Sequence, residues 1–176
     1  YEPGYPAVVF IFNSNPSTGF GAACTGSVIS PRVILTARHC VSDFTSSGAP
    51  LDRVAPIDHF AVYVGSSPER GGFTEMHGVS EVRIASNSWQ VDDGSDVAVL
   101  IMSTPTTITP IPYAHGTGGS LTGMPLTAVG YGQLPDGSSG VKYRVTTTVA
   151  DIMPPFLFVE PSVCEGDSGG PALAAD

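Results

Sequence analysis

Charge is scarce in this chain, and positive charge scarcer still. Of 176 residues only seven are Lys or Arg, against sixteen Asp or Glu, for a formal net charge of −9. A Lys-poor, acidic surface repels phosphate backbones and anionic lipid headgroups, so neither nucleic acid nor a membrane surface is expected as a partner. Cysteine is equally sparse. Cys24, Cys40 and Cys164 form no C-x-x-C pair and no Cys/His spacing of the zinc kind, so no metal and no cofactor is expected. A structural disulfide is the better reading, and it points to an oxidising compartment, secreted or periplasmic. Three is an odd number, so one partner is missing or one thiol is free. No apolar run approaches the length of a membrane span. No signal peptide is visible from Tyr1 onward, and the expectation is that any targeting segment has already been removed.

What is present is turn chemistry and apolar runs. The chain has 21 Gly and 16 Pro, and 41% of its residues are hydrophobic, enough for a core. Strand-like runs recur between Gly, Ser, Pro and Asp clusters. They are read at 7–12 (AVVFIF), 21–29, 33–36 (VILT), 60–65 (FAVYVG), 79–84, 97–102 (VAVLIM), 126–130, 142–150, 156–159 and 171–175. The wholly apolar 97–102 reads as a strand buried on both faces. Asn13-Ser14-Asn15-Pro16 reads as a turn, and 42–56, 66–78, 86–95, 103–120 and 133–140 read as loops. Only 36–41 suits a helical turn. The class is all-β, with strands spaced as in barrels or sandwiches. The stretch 103–120 (STPTTITPIPYAHGTGGS) is the best linker and divides the chain into 1–108 and 109–176.

Three segments carry chemistry. Cys164-Glu165-Gly166-Asp167-Ser168-Gly169-Gly170-Pro171 flanks a serine with glycines, so the backbone can turn tightly and aim N–H groups at one point. A Gly/Ser surface turn would look the same. Leu35-Thr36-Ala37-Arg38-His39-Cys40 sets a histidine after an apolar strand. A serine hydroxyl is a weak nucleophile until a base takes its proton, and imidazole suits that work near neutral pH. A lone histidine is more often a surface or satisfied core residue, and His59, His77 and His115 are read that way. Ser95-Asp96-Val97-Ala98-Val99-Leu100 puts a carboxylate at the mouth of a buried strand, where it can orient an imidazole or merely cap the strand. Asp92 and Asp93 compete with Asp96, but only Asp96 abuts the strand.

Taken together, CTGSVISPRVILTARHCV, SDVAVLIM, LTAVGYG and CEGDSGGPAL resemble successive landmarks of the trypsin/chymotrypsin-like serine proteases, in family order, from Tyr5 to Leu173. The order His, Asp, Ser separates that family from subtilisins and α/β-hydrolases. The resemblance implies two antiparallel Greek-key β-barrels packed together. The first, 1–108, would carry His39 and Asp96; the second, incomplete in this chain, would be 109–176 and carry Ser168. It implies a secreted serine endopeptidase acting on polypeptides through an acyl-enzyme. Ser168 would be the nucleophile, His39 the general base and acid, and Asp96 the group that orients it. The backbone N–H groups of Gly166 and Ser168 would form the oxyanion hole. Cys24 and Cys40 would pair, closing a loop of about 15 residues and contributing about 3 kcal/mol in the chain-entropy model. Ser162 would lie at the floor of the P1 pocket, with Val163 as an apolar wall and Glu165 at the rim. Serine at the floor cannot pair with Arg or Lys, so an apolar or modest-sized P1 residue is expected.

The sequence also departs from the family. Members usually begin at a freed Ile-Val-Gly-Gly-like terminus whose ammonium pairs with the aspartate before the nucleophile, here Asp167. This chain begins Tyr1-Glu2-Pro3-Gly4, so Asp167 is expected to be an unpaired carboxylate that protonates or rearranges. The family's later strands and the usual partner of Cys164 lie beyond Asp176. The expectation is a second chain supplying them, linked through Cys164, with a truncated fragment as the other reading. The alternatives to an active endopeptidase are a zymogen-like inactive form and a non-catalytic binding module on the same fold. The acids of loop 66–78, Glu69 and Glu75, are a thin basis for a calcium site.

Overall fold

The computed structural model describes residues 2–67, 72–86, 93–114 and 121–174. Glu69, Asp92 and His115 lie outside them. The regular structure of the described chain is nearly all strand: β1 (Val8–Ser14), β2 (Gly21–Ser30), β3 (Val33–Thr36), β4 (Ser42–Phe44), β5 (Pro50–Val54), β6 (Phe60–Gly65), β7 (Phe73–Ile84), β8 (Ala98–Met102), β9 (Pro125–Gly130), β10 (Tyr143–Met153), β11 (Phe156–Val159) and β12 (Ala172–Ala174). Single helical turns occupy His39–Val41 and Ile57–His59.

Six antiparallel strands close a barrel in the order β1-β2-β3-β8-β7-β6, and β11-β10-β9-β12 form a separate four-stranded sheet. Val9, Ile11, Val28, Ile34, Val62, Leu100 and Met102 fill the barrel. Alternation explains their choice, since successive side chains point to opposite faces of a strand. The continuous run in β1 has a different cause. Its inward residues fill the barrel, while Val8 and Phe10 face outward and pack with Val129 and Tyr131 of the second sheet region. Strand β8 departs from the expectation of burial on both faces. Ala98, Leu100 and Met102 are buried, but Val99 and Ile101 are only partly so.

Other expectations are corrected too. The stretch 42–56 is not simply a loop, because β4 and β5 pair there. Strand β7 begins at Phe73, six residues before the reading of 79–84. Asn13 belongs to β1 and is fully buried, not part of the turn. The segment after β8 stays fastened to the barrel: Thr106 N–H donates to Pro31 C=O at 2.8 Å, and Ile111 N–H to Val28 C=O at 3.0 Å. Lys142 is buried beside the start of the chain. Its Nζ donates to Tyr5 C=O at 3.0 Å and lies 5.6 Å from the centre of the Tyr131 ring, and burial lowers it to about 8.

On strand β7, Glu75 is held by neighbouring side chains. Its carboxylate accepts from His77 Nε2 at 2.7 Å, Thr106 Oγ1 at 2.6 Å, Thr107 N–H at 3.3 Å and the Thr107 hydroxyl. His77 Nδ1 in turn meets Thr104 Oγ1 at 2.8 Å, so this histidine is a satisfied core residue as expected. Burial is the largest single influence on Glu75 and would raise it, but the bonds from Thr106, Thr107 and His77 together hold it at about 2, below the ordinary 4.5. A carboxyl lowered on folding stabilises the native state above its unfolded value and loses that contribution as pH falls through 4.5 toward 2. After discounting for solvent screening, this is about 2 kcal/mol. Urea titrations at pH 6 and pH 2 should therefore show the parent protein losing about 2 kcal/mol more than Glu75→Gln between those limits.

Candidate active site

The site begins where β3 ends. After Thr36 the chain leaves the barrel through Ala37 and Arg38 into the single turn His39–Val41. Two devices hold that turn. Cys40 is bonded to Cys24 of β2, with S–S 2.02 Å. Asn13 of β1 donates from Nδ2 to Cys40 C=O at 3.2 Å and to Ser42 C=O at 2.7 Å. The turn is therefore fixed covalently on one side and by a buried amide on the other.

Asp96 reaches the histidine from the connection before β8. One carboxylate oxygen, Oδ1, accepts the backbone N–H of His39 at 2.8 Å; the other, Oδ2, lies 2.8 Å from His39 Nδ1. This two-point clasp fixes both the backbone and the ring. An ionised carboxylate only accepts, so Nδ1 carries the hydrogen and Nε2 is the ring's basic nitrogen. The imidazole is about one-third exposed and the carboxylate about half that (33% and 16%), so the ring faces the outside while its anchor is sheltered. Asp93, the competing acid, does something else: its Oδ1 accepts Ser95 N–H at 2.8 Å and shapes the turn leading to Asp96.

Ser168 sits in a tight turn. Asp167 N–H donates to Cys164 C=O at 3.1 Å and Gly170 N–H to Asp167 C=O at 2.9 Å. Gly166 and Gly169 have φ of +96° and +79°, a left-handed region that glycine adopts without strain. Thr25 of β2 holds the turn against the barrel. Its N–H donates to Ser168 C=O at 2.9 Å, its hydroxyl donates to Gly166 C=O at 2.8 Å, and the same hydroxyl accepts Tyr131 N–H at 3.1 Å. Ser168 C=O also lies 3.6 Å from Cys40 Sγ. The backbone of Ser168 is thus brought against the disulfide that adjoins His39.

Asp167 is not the unpaired carboxylate expected. Oδ1 accepts Gly132 N–H at 2.8 Å and Oδ2 accepts Cys164 N–H at 3.0 Å. Backbone amides supply the charge-assisted bonds that an ammonium would otherwise give. Gly132 must be glycine for this approach, since a Cβ there would sit 2.4 Å from the carboxylate carbon. Ser162, Val163 and Cys164 line an open cleft that also reaches Asp167 and Ser168. The Ser162 hydroxyl is buried, whereas Val163, Glu165 and Cys164 are exposed and Cys164 is a free thiol. The sulfurs of Cys24 and Cys40 lie close to His39 but are bonded to each other, so no thiolate is offered to a metal there.

Sequence reasoning missed Asn13, Thr25, Arg38 and Tyr131. Asn13 was disguised by its turn-like neighbours, and nothing in the sequence marks Thr25. Tyr131 lies within LTAVGYG, and its hydroxyl reaches the barrel at Val8 C=O (3.1 Å) and Gly65 C=O. Arg38, a charge inside an otherwise apolar and small-residue stretch, was the visible signal. It is fully buried, with Nη1 donating to Ser42 Oγ at 3.1 Å. Burial lowers its affinity for the proton, against the attraction of Asp52 and Asp96, but a guanidinium stays charged.

The solved structure of GrC is similar over 99% of this chain and 81% of its own, with TM-score 0.77 and 18% identity, which speaks to the fold. The family model described as Trypsin matches residues 2–176. With its all-β architecture and its Cys24–Cys40 disulfide, the chain belongs to the trypsin family of serine proteases.

Proposed function

We propose that this chain is a secreted serine endopeptidase that cleaves peptide bonds through an acyl-enzyme. His39 and Asp96 belong to the unit 1–108, and Ser168 to the unit 109–176. The observation that carries the reading is the two-point clasp of His39 by Asp96, at 2.8 Å on both contacts. With Nδ1 tied to the carboxylate, Nε2 takes the Ser168 hydroxyl proton as Oγ attacks the scissile carbonyl. The backbone N–H groups of Gly166 and Ser168 stabilise the resulting oxyanion. Nε2 then delivers the proton to the departing amine, leaving an ester on Ser168. Water, deprotonated by the same nitrogen, releases the acid and restores the hydroxyl. Ser162, Val163 and Glu165 shape the P1 site, which favours apolar or small side chains because its floor holds no carboxylate. The disulfide supports an oxidising, extracellular setting.

A second chain covering the second sheet is part of the proposal. Its support is the free, exposed thiol of Cys164 and the apolar side chains left open on β10 and β11, such as Val145, Leu157 and Phe158. A fluorophosphonate probe tests the catalytic reading. It should label the complete molecule at Ser168, with labelling abolished in Ser168→Ala; absence of labelling in the parent overturns it.

One observation favours the second reading, a zymogen-like state. The Asp167 carboxylate is already engaged by Gly132 and Cys164 amides. In that state labelling should be absent from the natural protein as isolated and appear only after proteolytic activation, and N-terminal sequencing before and after would reveal the cleavage.

A further inference from the structure

Strand β7 sends Glu75 and His77, two residues apart, to the same face. The register brings the segment after β8 past them. Val79 pairs with Met102, Ser103 N–H donates to Gly78 C=O at 2.9 Å, and Thr104 arrives opposite His77. Its neighbours are pinned on both sides. Arg32 Nη2 donates to Ser103 C=O at 2.9 Å, and Thr106 N–H donates to Pro31 C=O at 2.8 Å. Three side chains then stand in series: Glu75 Oε2 is 2.7 Å from His77 Nε2, and His77 Nδ1 is 2.8 Å from Thr104 Oγ1. The imidazole is buried, whereas Thr104 is exposed.

The carboxylate sets the proton map. Burial alone would raise Glu75, but the bonds from Thr106, Thr107 and His77 hold it at about 2, so near neutral pH it is ionised and only accepts. In the neutral ring Nε2 therefore carries the hydrogen. Nδ1 keeps its lone pair, and the Thr104 hydroxyl donates to it. A threonine hydroxyl is a weak nucleophile until a base takes its proton, and here a base already holds that proton's far end.

We propose that Glu75, His77 and Thr104 form a second proton relay, separate from the His39–Asp96 pair, which makes Thr104 an acyl-acceptor site for small activated esters. In the step, Thr104 Oγ1 bonds to the ester carbonyl carbon and its proton passes to His77 Nδ1. The bond from that carbon to the leaving oxygen breaks. Nδ1 returns the proton to the leaving oxygen or, where that is a stable phenolate, to water. The products are a threonyl ester and the released alcohol, and nothing is oxidised or reduced. Ser168 takes no part.

The test uses Ser168→Ala protein, so that no acyl group arrives by way of Ser168. It is treated with p-nitrophenyl acetate and mapped by mass spectrometry of its peptides over time. Acetyl should appear on Thr104 about 10²-fold faster than on Ser103, its exposed neighbour and a less hindered alcohol. Glu75→Gln in the same background reads the relay itself. Thr107 N–H keeps the amide oxygen on its own side, so the NH₂ faces Nε2, the hydrogen moves to Nδ1, and the hydroxyl loses its base. Acetylation of Thr104 should then fall about 10²-fold while that of Ser103 holds. Equal rates at Thr104 and Ser103, or a Thr104 rate unchanged in Glu75→Gln, overturn the proposal. If Glu75→Gln fails to fold, the comparison of the two hydroxyls decides alone. Loss of fluorophosphonate labelling at Ser168 in the parent defeats the acyl-enzyme reading and leaves this one standing.

Discussion

Replacing Asp96 by Asn should lower kcat on an activated ester about 10⁴-fold while leaving KM within a few-fold of the parent. The carboxamide is nearly the same size, so the turn carrying His39 is retained. What changes is the proton map. Asp96 now accepts from the His39 backbone N–H and from Nδ1, both at 2.8 Å. An amide has one accepting oxygen and one donating nitrogen. If the oxygen keeps the backbone bond, the NH₂ faces Nδ1, which must then accept, and the hydrogen moves to Nε2. The nitrogen that should take the Ser168 proton then already carries one. A substitution that raised KM and spared kcat would instead mean that Asp96 helps bind substrate, and the relay assignment would be wrong. Circular dichroism of the variant should match the parent, since no buried volume is lost.

A large stability effect is expected at Gly169. Alanine there would place its Cβ 2.1 Å from Thr36 Oγ1, 2.5 Å from Thr25 C=O and 2.8 Å from Ala37 N. Two of these neighbours are backbone atoms and cannot rotate away. The residue also sits at φ +79°, which costs an L-residue about 1–2 kcal/mol before any contact is counted. With overpacking added, Gly169→Ala should cost about 3–5 kcal/mol. Gly123 supplies the control: its φ is +85°, but a Cβ there meets nothing within 4 Å. Gly123→Ala should therefore cost only the conformational part, about 1–2 kcal/mol. Denaturant unfolding of the two variants separates strain from collision. Equal losses would mean that the turn around Ser168 gives way rather than being gripped.

Much of the fold is legible because its periodicity is clean. The edges of β3 and β6 were readable to the residue, since VILT and FAVYVG are bounded by abrupt changes of composition. The closed barrel follows from such strands and from the family resemblance. What was not legible shares a physical cause: polar groups satisfied by distant chain. The early half of β7 reads as loop because Thr74, Glu75 and His77 are polar, yet Thr104, Thr106 and Thr107 arrive to bond Glu75 and His77. Asn13 reads as turn because nothing local shows that Cys40 and Ser42 carbonyls await its amide. Asp167 reads as unpaired because its donors are backbone amides, which no sequence advertises. For the candidate site, the segments holding His39, Asp96 and Ser168 stand out by residue type. The props behind them, Thr25 above all, do not. A threonine in a strand of small residues has no signature.

That threonine has a mechanical consequence. Because one residue of β2 grips two separate segments of the second sheet region, at Tyr131 and at Gly166 and Ser168, the two sides of the molecule share a rivet at the place where the reactive loop is aimed. Such a joint tolerates no sliding. Heat should not loosen the loop ahead of the rest, and the temperature at which Ser168 stops reacting should coincide with the melting of the barrel itself.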